Sequence, residues 1–381
     1  MQSKLSKEIA PFYVLEVLER AREIEATGAD VIHFEVGETD FGSPAAACEE
    51  AIAAINEGDT RYTHSLGIRE LRNAIADDYR ESYGVDVSPD RIIVTMGSSP
   101  ALFMSMLALV DPGDEIIITD PHYACYPQLI KIAGGVPKKV RIYEEEGFQP
   151  DVSRIEEAIT PRTKAILINS PANPTGVVID PDVLGGIAGL GVPVISDEIY
   201  HGLVYSGEAR TMLEFTGNAI TVNGFSKLYA MTGWRLGYVI VPGPLVRPVQ
   251  KLQQNLFISP SPISQRAGAA ALRKGKGDAE SMVKEFGERR KRMIEGLKRL
   301  GLTTEVEPTG AFYVFANVSK LSNDSLALAF DILEKAHVAV TPGADFGEGG
   351  EGYLRFSYAA APEKIDEGLR RLAAYMEKHT K

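Results

Sequence analysis

Cysteine, tryptophan and histidine are scarce in this chain: two, one and six residues among 381. Cys48 and Cys125 are too few and too isolated for a disulfide framework or a zinc site, so a reducing cytoplasm and no structural metal are expected. A membrane-length apolar run is missing. Met1 to Val17 carries Lys4, Lys7, Glu8 and Glu16 without an apolar centre, which does not fit a signal peptide. Positive charge is also short. Forty Lys and Arg stand against 52 Asp and Glu, a formal net charge of −12. That excludes general attraction to nucleic acid or anionic membranes, and any phosphate site has to be local. No repeat and no low-complexity tract interrupts the chain.

What is present is a large globular core. The chain is 44% hydrophobic and 24% charged, and its length suits two or three domains. Phe12 to Ala26 has helical periodicity and stops near Gly28. Val31 to Val36 reads as a short strand, Ala45 to Asn56 as a helix opened by Ser43-Pro44, and Ile68 to Tyr83 as another helix. Strands and helices then alternate. Apolar runs near 91–96, 115–119, 139–142, 163–169, 192–196, 220–222 and 236–241 are expected strands, with helices over 101–109 and 126–133. This predicts an α/β fold: a mostly parallel, seven-stranded type of sheet with helices on both faces. Ile263 to Lys298 is expected as one charged, solvated helix bridging two domains, Thr303 to Asn317 as a hairpin, and Ser325 to Ala336 as a helix. Gly352 to Tyr358 is an expected strand, and Pro362 to Lys378 a closing helix. The last third resembles a smaller α+β domain. The division expected is 1–44 joining the small domain, 45–275 as the large domain and 276–381 as the small one.

In parallel sheets ligands collect outside the carboxyl ends of the strands, and the polar clusters of this sequence fall there. Lys227 comes just after one apolar run, and Arg235 lies a short flexible stretch further on. An amine can form a Schiff base and a guanidinium can grip a phosphate, so the pair suits a cofactor with an aldehyde and a phosphate. Each feature also has a plainer account. Gly97-Ser98-Ser99 is either a phosphate cradle or an ordinary helix start. Asn169 to Gly176 is a turn, or a device that projects Asn173 into the rim. Asp197 ends a strand so apolar that its carboxylate needs a cation or several donors, unless it only caps a helix; Tyr200 lies three residues on. Arg355 sits in mid-strand, where most arginines face solvent, and is otherwise a carboxylate ligand. Tyr123 and Trp234 are core aromatics or one of them stacks on a flat cofactor.

Taken in order, Asn173-Pro174-Thr175-Gly176, Asp197-x-x-Tyr200 and Ser226-Lys227-x-x-x-Met231-Thr232-Gly233-Trp234-Arg235-x-Gly237 resemble the class I/II aminotransferases of the aspartate aminotransferase fold type. The resemblance runs from Gly37-Glu38 to Arg355. It implies pyridoxal phosphate as cofactor, bound covalently by Lys227, which also acts as the acid/base. It implies Asp197 at the pyridine nitrogen and Asn173 and Tyr200 at the phenolic oxygen. Ser98, Ser99, Ser226 and Arg235 would hold the phosphate, Tyr123 would stack on the ring, and Arg355 and Gly37 would take the substrate carboxylate with Asn173 nearby. Tyr62 would reach the cofactor phosphate of a neighbouring subunit, making a homodimer with shared sites. The reaction implied moves an amino group from an α-amino acid to a 2-oxo acid, 2-oxoglutarate being the expected one, in ping-pong fashion. A β-eliminating carbon–sulfur lyase is the rival on the same fold. A regulator sensing the same cofactor is more remote, because it would need a basic DNA-binding domain ahead of the fold. Two departures matter: Gly224 stands where some relatives carry a phosphate-binding Ser, and Ser99 stands where some aspartate-specific relatives carry Lys.

Overall fold

A computed structural model describes residues 2–302 and 304–379. The N-terminal strand β1 (Ile32–His33) lies apart from the main sheet. That sheet comprises β2 (Ile92–Thr95), β3 (Glu115–Asp120), β4 (Val136–Arg141), β5 (Thr163–Asn169), β6 (Val194–Asp197), β7 (Ala219–Gly224) and β8 (Gly237–Ile240). Its spatial order is β2-β8-β7-β6-β5-β3-β4. Strand β8 is antiparallel to both neighbours, and the other pairings are parallel. The expected mostly parallel sheet of seven strands is therefore what forms.

Its strands are apolar on both faces because both faces are covered. Ile116 and Ile118 point into one buried cluster while Ile117, between them, points into another. Leu167 and its neighbours Ile166 and Ile168 divide in the same way. A period of two buried on both sides is what a two-sided α/β sheet requires.

The remaining strands are β9 (Tyr313–Asn317), β10 (Val338–Ala339), β11 (Thr341–Pro342) and β12 (Tyr353–Ser357). Strands β11, β12 and β9 form a small antiparallel sheet, and β1 pairs in parallel with β10. The N-terminal strand is thus held by the C-terminal third of the chain.

Several expectations are corrected. The strand over 31–36 shortens to Ile32–His33. The single helix over 263–298 is two helices, Pro262–Lys274 and Lys276–Arg299, separated at Gly275, where an added Cβ would meet the Ala271 carbonyl oxygen at 2.7 Å. Its charge run is not wholly solvated. Arg289 is buried, pairs with Asp40 and Glu285, and donates to the carbonyls of Ala359 and Ala360. The hairpin over 303–317 reduces to β9, and Thr303 lies outside the described residues. Pro308 and Gly310 interrupt the other arm, whose backbone turns to the large sheet's loops: Gly310 N–H donates to Gly176 O and Ala311 N–H to Leu203 O. The helix Gly243–Leu256 went unread, its pattern masked by Pro244 and Pro248. No helix among the described residues is long and apolar enough to cross a membrane.

Candidate active site

The register of the large sheet sets the rim. Asn169, Asp197 and Val222 are direct neighbours on β5, β6 and β7, and Gly224, Gly237 and Thr95 align across β7, β8 and β2. The loops leaving β2, β5, β6 and β7 therefore emerge on one edge. A cavity of about 200 Å³ there is lined by Gly37, Ser98, Ser99, Tyr123, Asn173, Asp197, Tyr200, Lys227 and Arg355. Nine of the expected site residues thus meet in one place. The remaining three do not line it. Ser226 is buried beside Lys227, Arg235 reaches Gly97 from the next turn, and Tyr62 is 81% exposed. Trp234 is not a cavity aromatic either; its indole N–H donates to Ser43 Oγ at 2.9 Å.

Asp197 is 3% exposed and enters no ion pair among the described residues. Its carboxylate accepts the Tyr126 hydroxyl at 2.7 Å and the Ile199 N–H at 3.3 Å. Burial pushes its pKa up to about 6, and the two donors and the Lys227 charge only partly oppose that. Asn169 secures the neighbouring turn, donating to Asp197 O and accepting the Asn173 N–H.

Lys227 sits just past β7, its Nζ donating to Gly37 O at 2.6 Å. Burial, and then the positive charge of Arg355, lower its pKa to about 8. A neutral amine is thus available far below the usual lysine range, as a nucleophile or proton acceptor needs.

Arg355 is 4% exposed although it stands in mid-strand. The small sheet turns that face of β12 toward the large one, so the solvent-facing account of this residue fails. Its guanidinium donates to Asn173 Oδ1 at 2.8 Å, Thr341 Oγ1 at 3.0 Å and Glu35 O at 2.5 Å. It lies over the Tyr313 ring at 4.2 Å and the Phe346 ring at 5.1 Å. No carboxylate pairs with it among the described residues, and a buried cation in that condition suits an anionic ligand. Gly37 lies where any Cβ would collide with the Tyr313 hydroxyl, so the backbone comes close only as glycine.

The phosphate end fits as well. The helix Ser98–Leu109 starts at Gly97, which has φ of 98° and no side-chain cap for the first-turn N–H groups. A Cβ on Gly97 would stand 2.5 Å from Arg235 Nη2, so the guanidinium can sit beside those donors only because residue 97 is glycine. Free first-turn donors with an arginine make an anion site. The buried carboxylate, the lysine and this cradle together match the ring nitrogen, aldehyde and phosphate of pyridoxal phosphate.

Sequence reasoning missed Tyr126, Asn169, Tyr313 and Thr341. Tyr126 lies at helical spacing from Tyr123 and could have been suspected. Tyr313, whose hydroxyl lies 2.9 Å from that of Tyr200, carries no local signal.

Comparison with known proteins agrees with this geometry. The family model described as aminotransferase class I and II matches residues 29–372. A (5-formylfuran-3-yl)methyl phosphate transaminase of Methanocaldococcus jannaschii is 43% identical, the alignment covering 99% of this chain and 100% of that one. An aspartate/prephenate aminotransferase of Thermus thermophilus is 39% identical over 97% of both chains. The solved aspartate aminotransferase from Thermus thermophilus with maleate superposes with a TM-score of 0.93 at 38% identity, covering 98% of this chain and 99% of that one.

Proposed function

This chain belongs to the class I and II aminotransferases and is a pyridoxal-phosphate-dependent enzyme moving amino groups between amino acids and oxo acids; from that premise we propose that Lys227 is the residue joined to the cofactor and that 2-oxoglutarate is the acceptor. The observation that carries this is a pair of buried charges on the walls of one small cavity. Among the described residues Asp197 and Arg355 both lack an oppositely charged side chain, and Lys227 lies beside them with a lowered pKa.

When bound, the cofactor supplies an aldehyde that condenses with amines and a cationic ring that withdraws electron density from the substrate Cα. The chain does the rest. Asp197 would hold the proton on the ring nitrogen, with Tyr126 fixing the carboxylate. Asn173 and Tyr200 line the same cavity and would donate to the phenolic oxygen. Arg355, already squared by Asn173, Thr341 and Glu35 O, grips the α-carboxylate in a fork. That orients the Cα–H toward Lys227 Nζ, which takes the proton and later returns it.

The test is borohydride reduction of the cofactor-loaded protein and then peptide mass analysis, with the tag expected on Lys227. A tag elsewhere, or none, overturns the assignment. Regeneration of the amine-loaded enzyme by 2-oxoglutarate but not by pyruvate tests the acceptor. Release of ammonia from cystathionine without any oxo acid would favour the lyase instead.

The homodimer belongs to the same proposal, with Tyr62 reaching the partner's cofactor phosphate. It is supported by exposed Tyr62, Leu256 and Ile258; the loop of Tyr62 and the segment just after the helix Gly243–Leu256 are joined by Thr63 N–H donating to Ser259 Oγ. A cytoplasmic setting and the division at 44 and 275 are proposed with it, the latter supported by the helix break at Gly275.

A further inference from the structure

Arg355 can offer a fork to a carboxylate only if something fixes the plane of its guanidinium. Asn173 holds Nη1, and two acceptors hold Nη2: Thr341 Oγ1 at 3.0 Å and Glu35 O at 2.5 Å. Nε has no partner among the described residues. Thr341 leans on the same carbonyl, since its hydroxyl donates to Glu35 O at 3.0 Å. Two of the three contacts that set the arginine therefore turn on residue 35.

Glu35 stands just past β1, where the ladder runs out. Phe34 still bonds on both sides, its N–H to Ala339 O at 2.9 Å and its carbonyl to the Ser357 N–H at 2.8 Å. The Glu35 side chain is fully buried, which a carboxylate tolerates only with a cation or several donors. Its Oε1 lies 2.7 Å from His33 Nδ1, and its Oε2 has no partner among the described residues. His33 is two residues back, so the pleat puts both side chains on one face. The imidazole is half-buried, and its Nε2 reaches out to Glu25 Oε1 at 3.2 Å, on the helix Tyr13–Glu25. Beside it β10 brings only Val338 and Ala339, and the helix Pro362–His379 meets Ile32 and Phe34 through Gly368. Glu35 and then Glu25 thus hold a proton on His33 and raise its pKa to about 9.

We propose that the Glu35–His33 pair is a positioning device for Arg355: the protonated imidazole fixes the buried Glu35 side chain, and through it the carbonyl that aims the guanidinium at the substrate carboxylate. Neither residue lines the cavity. The proposal rests on Arg355 being the carboxylate's ligand. Because the pKa of His33 is raised in the fold, the pair is whole below the ordinary histidine value of 6.5 and is lost as pH rises through about 9. Grip on carboxylates should weaken over the same range.

The experiment measures the dissociation constants of two unreactive acids, succinate and 3-phenylpropionate, on the cofactor-loaded enzyme at pH values either side of 9. His33→Gln, at a half-buried position that should still fold, should weaken the tighter acid about fivefold at neutral pH, an ordinary coupling within one hydrogen-bonded network. Its kcat should change by less than about twofold, since the α-carboxylate is held alike before and during reaction. In the wild type the dissociation constant should climb as pH passes about 9, and in the variant that climb should be absent. Glu35→Gln keeps the buried shape without the charge and should remove the same climb. A merely structural role would lower stability and leave this pH profile in place. A climb that survives in both variants, or no climb in the wild type, overturns the proposal. Arg355→Gln is the control. If it leaves binding of both acids unchanged, the reading of Arg355 falls; if it weakens binding while the other two variants do not, only the positioning role falls.

Discussion

Asp197 stands at the end of a strand and Arg355 in the middle of one, yet both are buried charges facing the same cavity. The carboxylate belongs to the large parallel sheet, where neighbouring strands deliver their last residues to a common rim. Two donors hold it, one from a side chain and one from the next turn. The guanidinium belongs to the small antiparallel sheet, has three acceptors and is flanked by two rings. The carboxylate is tuned by how few donors it has, since burial raises its pKa. Around the arginine, polar groups and rings fix the direction of the guanidinium. In the reaction proposed for this site, one end would set electronics and the other orientation.

The largest break in that comparison removes what stands between the two ends. Lys227→Ala should reduce transamination by about 10⁴-fold or more, with loss of the visible absorbance of the lysine-bound cofactor. In the wild type, condensation with the cofactor aldehyde should accelerate as pH rises through about 8 and then level off, because only the neutral amine attacks. A midpoint near 10 in stopped-flow traces would contradict the burial of the amine.

Asp197→Asn should come next, lowering kcat by roughly 10²–10³-fold, in the range seen when a preorganised electrostatic partner is lost. Binding of an unreactive substrate acid should change little. Arg355→Gln should do the reverse, raising KM and the dissociation constants of such acids by about 30-fold or more, equivalent to about 2 kcal/mol. Equal effects of both variants on KM would erase the distinction between the two ends.

The smallest expected effect sharpens the picture. Tyr126→Phe leaves Asp197 with the Ile199 N–H as its remaining donor. A hydrogen bond to a charged group contributes about 1.5–3 kcal/mol, so cofactor affinity should weaken about tenfold or somewhat more. Equilibrium dialysis against pyridoxal phosphate measures it, and unchanged affinity would show that the Tyr126 hydroxyl does not support the carboxylate.

The parallel strands were legible because a strand buried on both faces is a continuous apolar run, as in Ile116-Ile117-Ile118, and needs no knowledge of its neighbours. Asp197 and Lys227 were legible for a related reason: a polar residue at the end of such a run has to lie at the rim. Arg355 was ambiguous because β12 alternates between faces, and only its pairing with β9 and β11 decides which face is covered. The break at Gly275 and the loss of a hairpin arm before β9 were hidden because both depend on contacts with distant segments.

By itself the chain determined its layered α/β architecture and its family, and with the family its cofactor, since these rest on local periodicity and short spacings. The tertiary structure alone decided that Tyr126 bonds to Asp197, that Tyr313 lies under Arg355, and that Phe12, Val14 and Leu15 reach the same cavity. Those relations join segments up to hundreds of residues apart, and no local preference of the chain encodes which of them will touch.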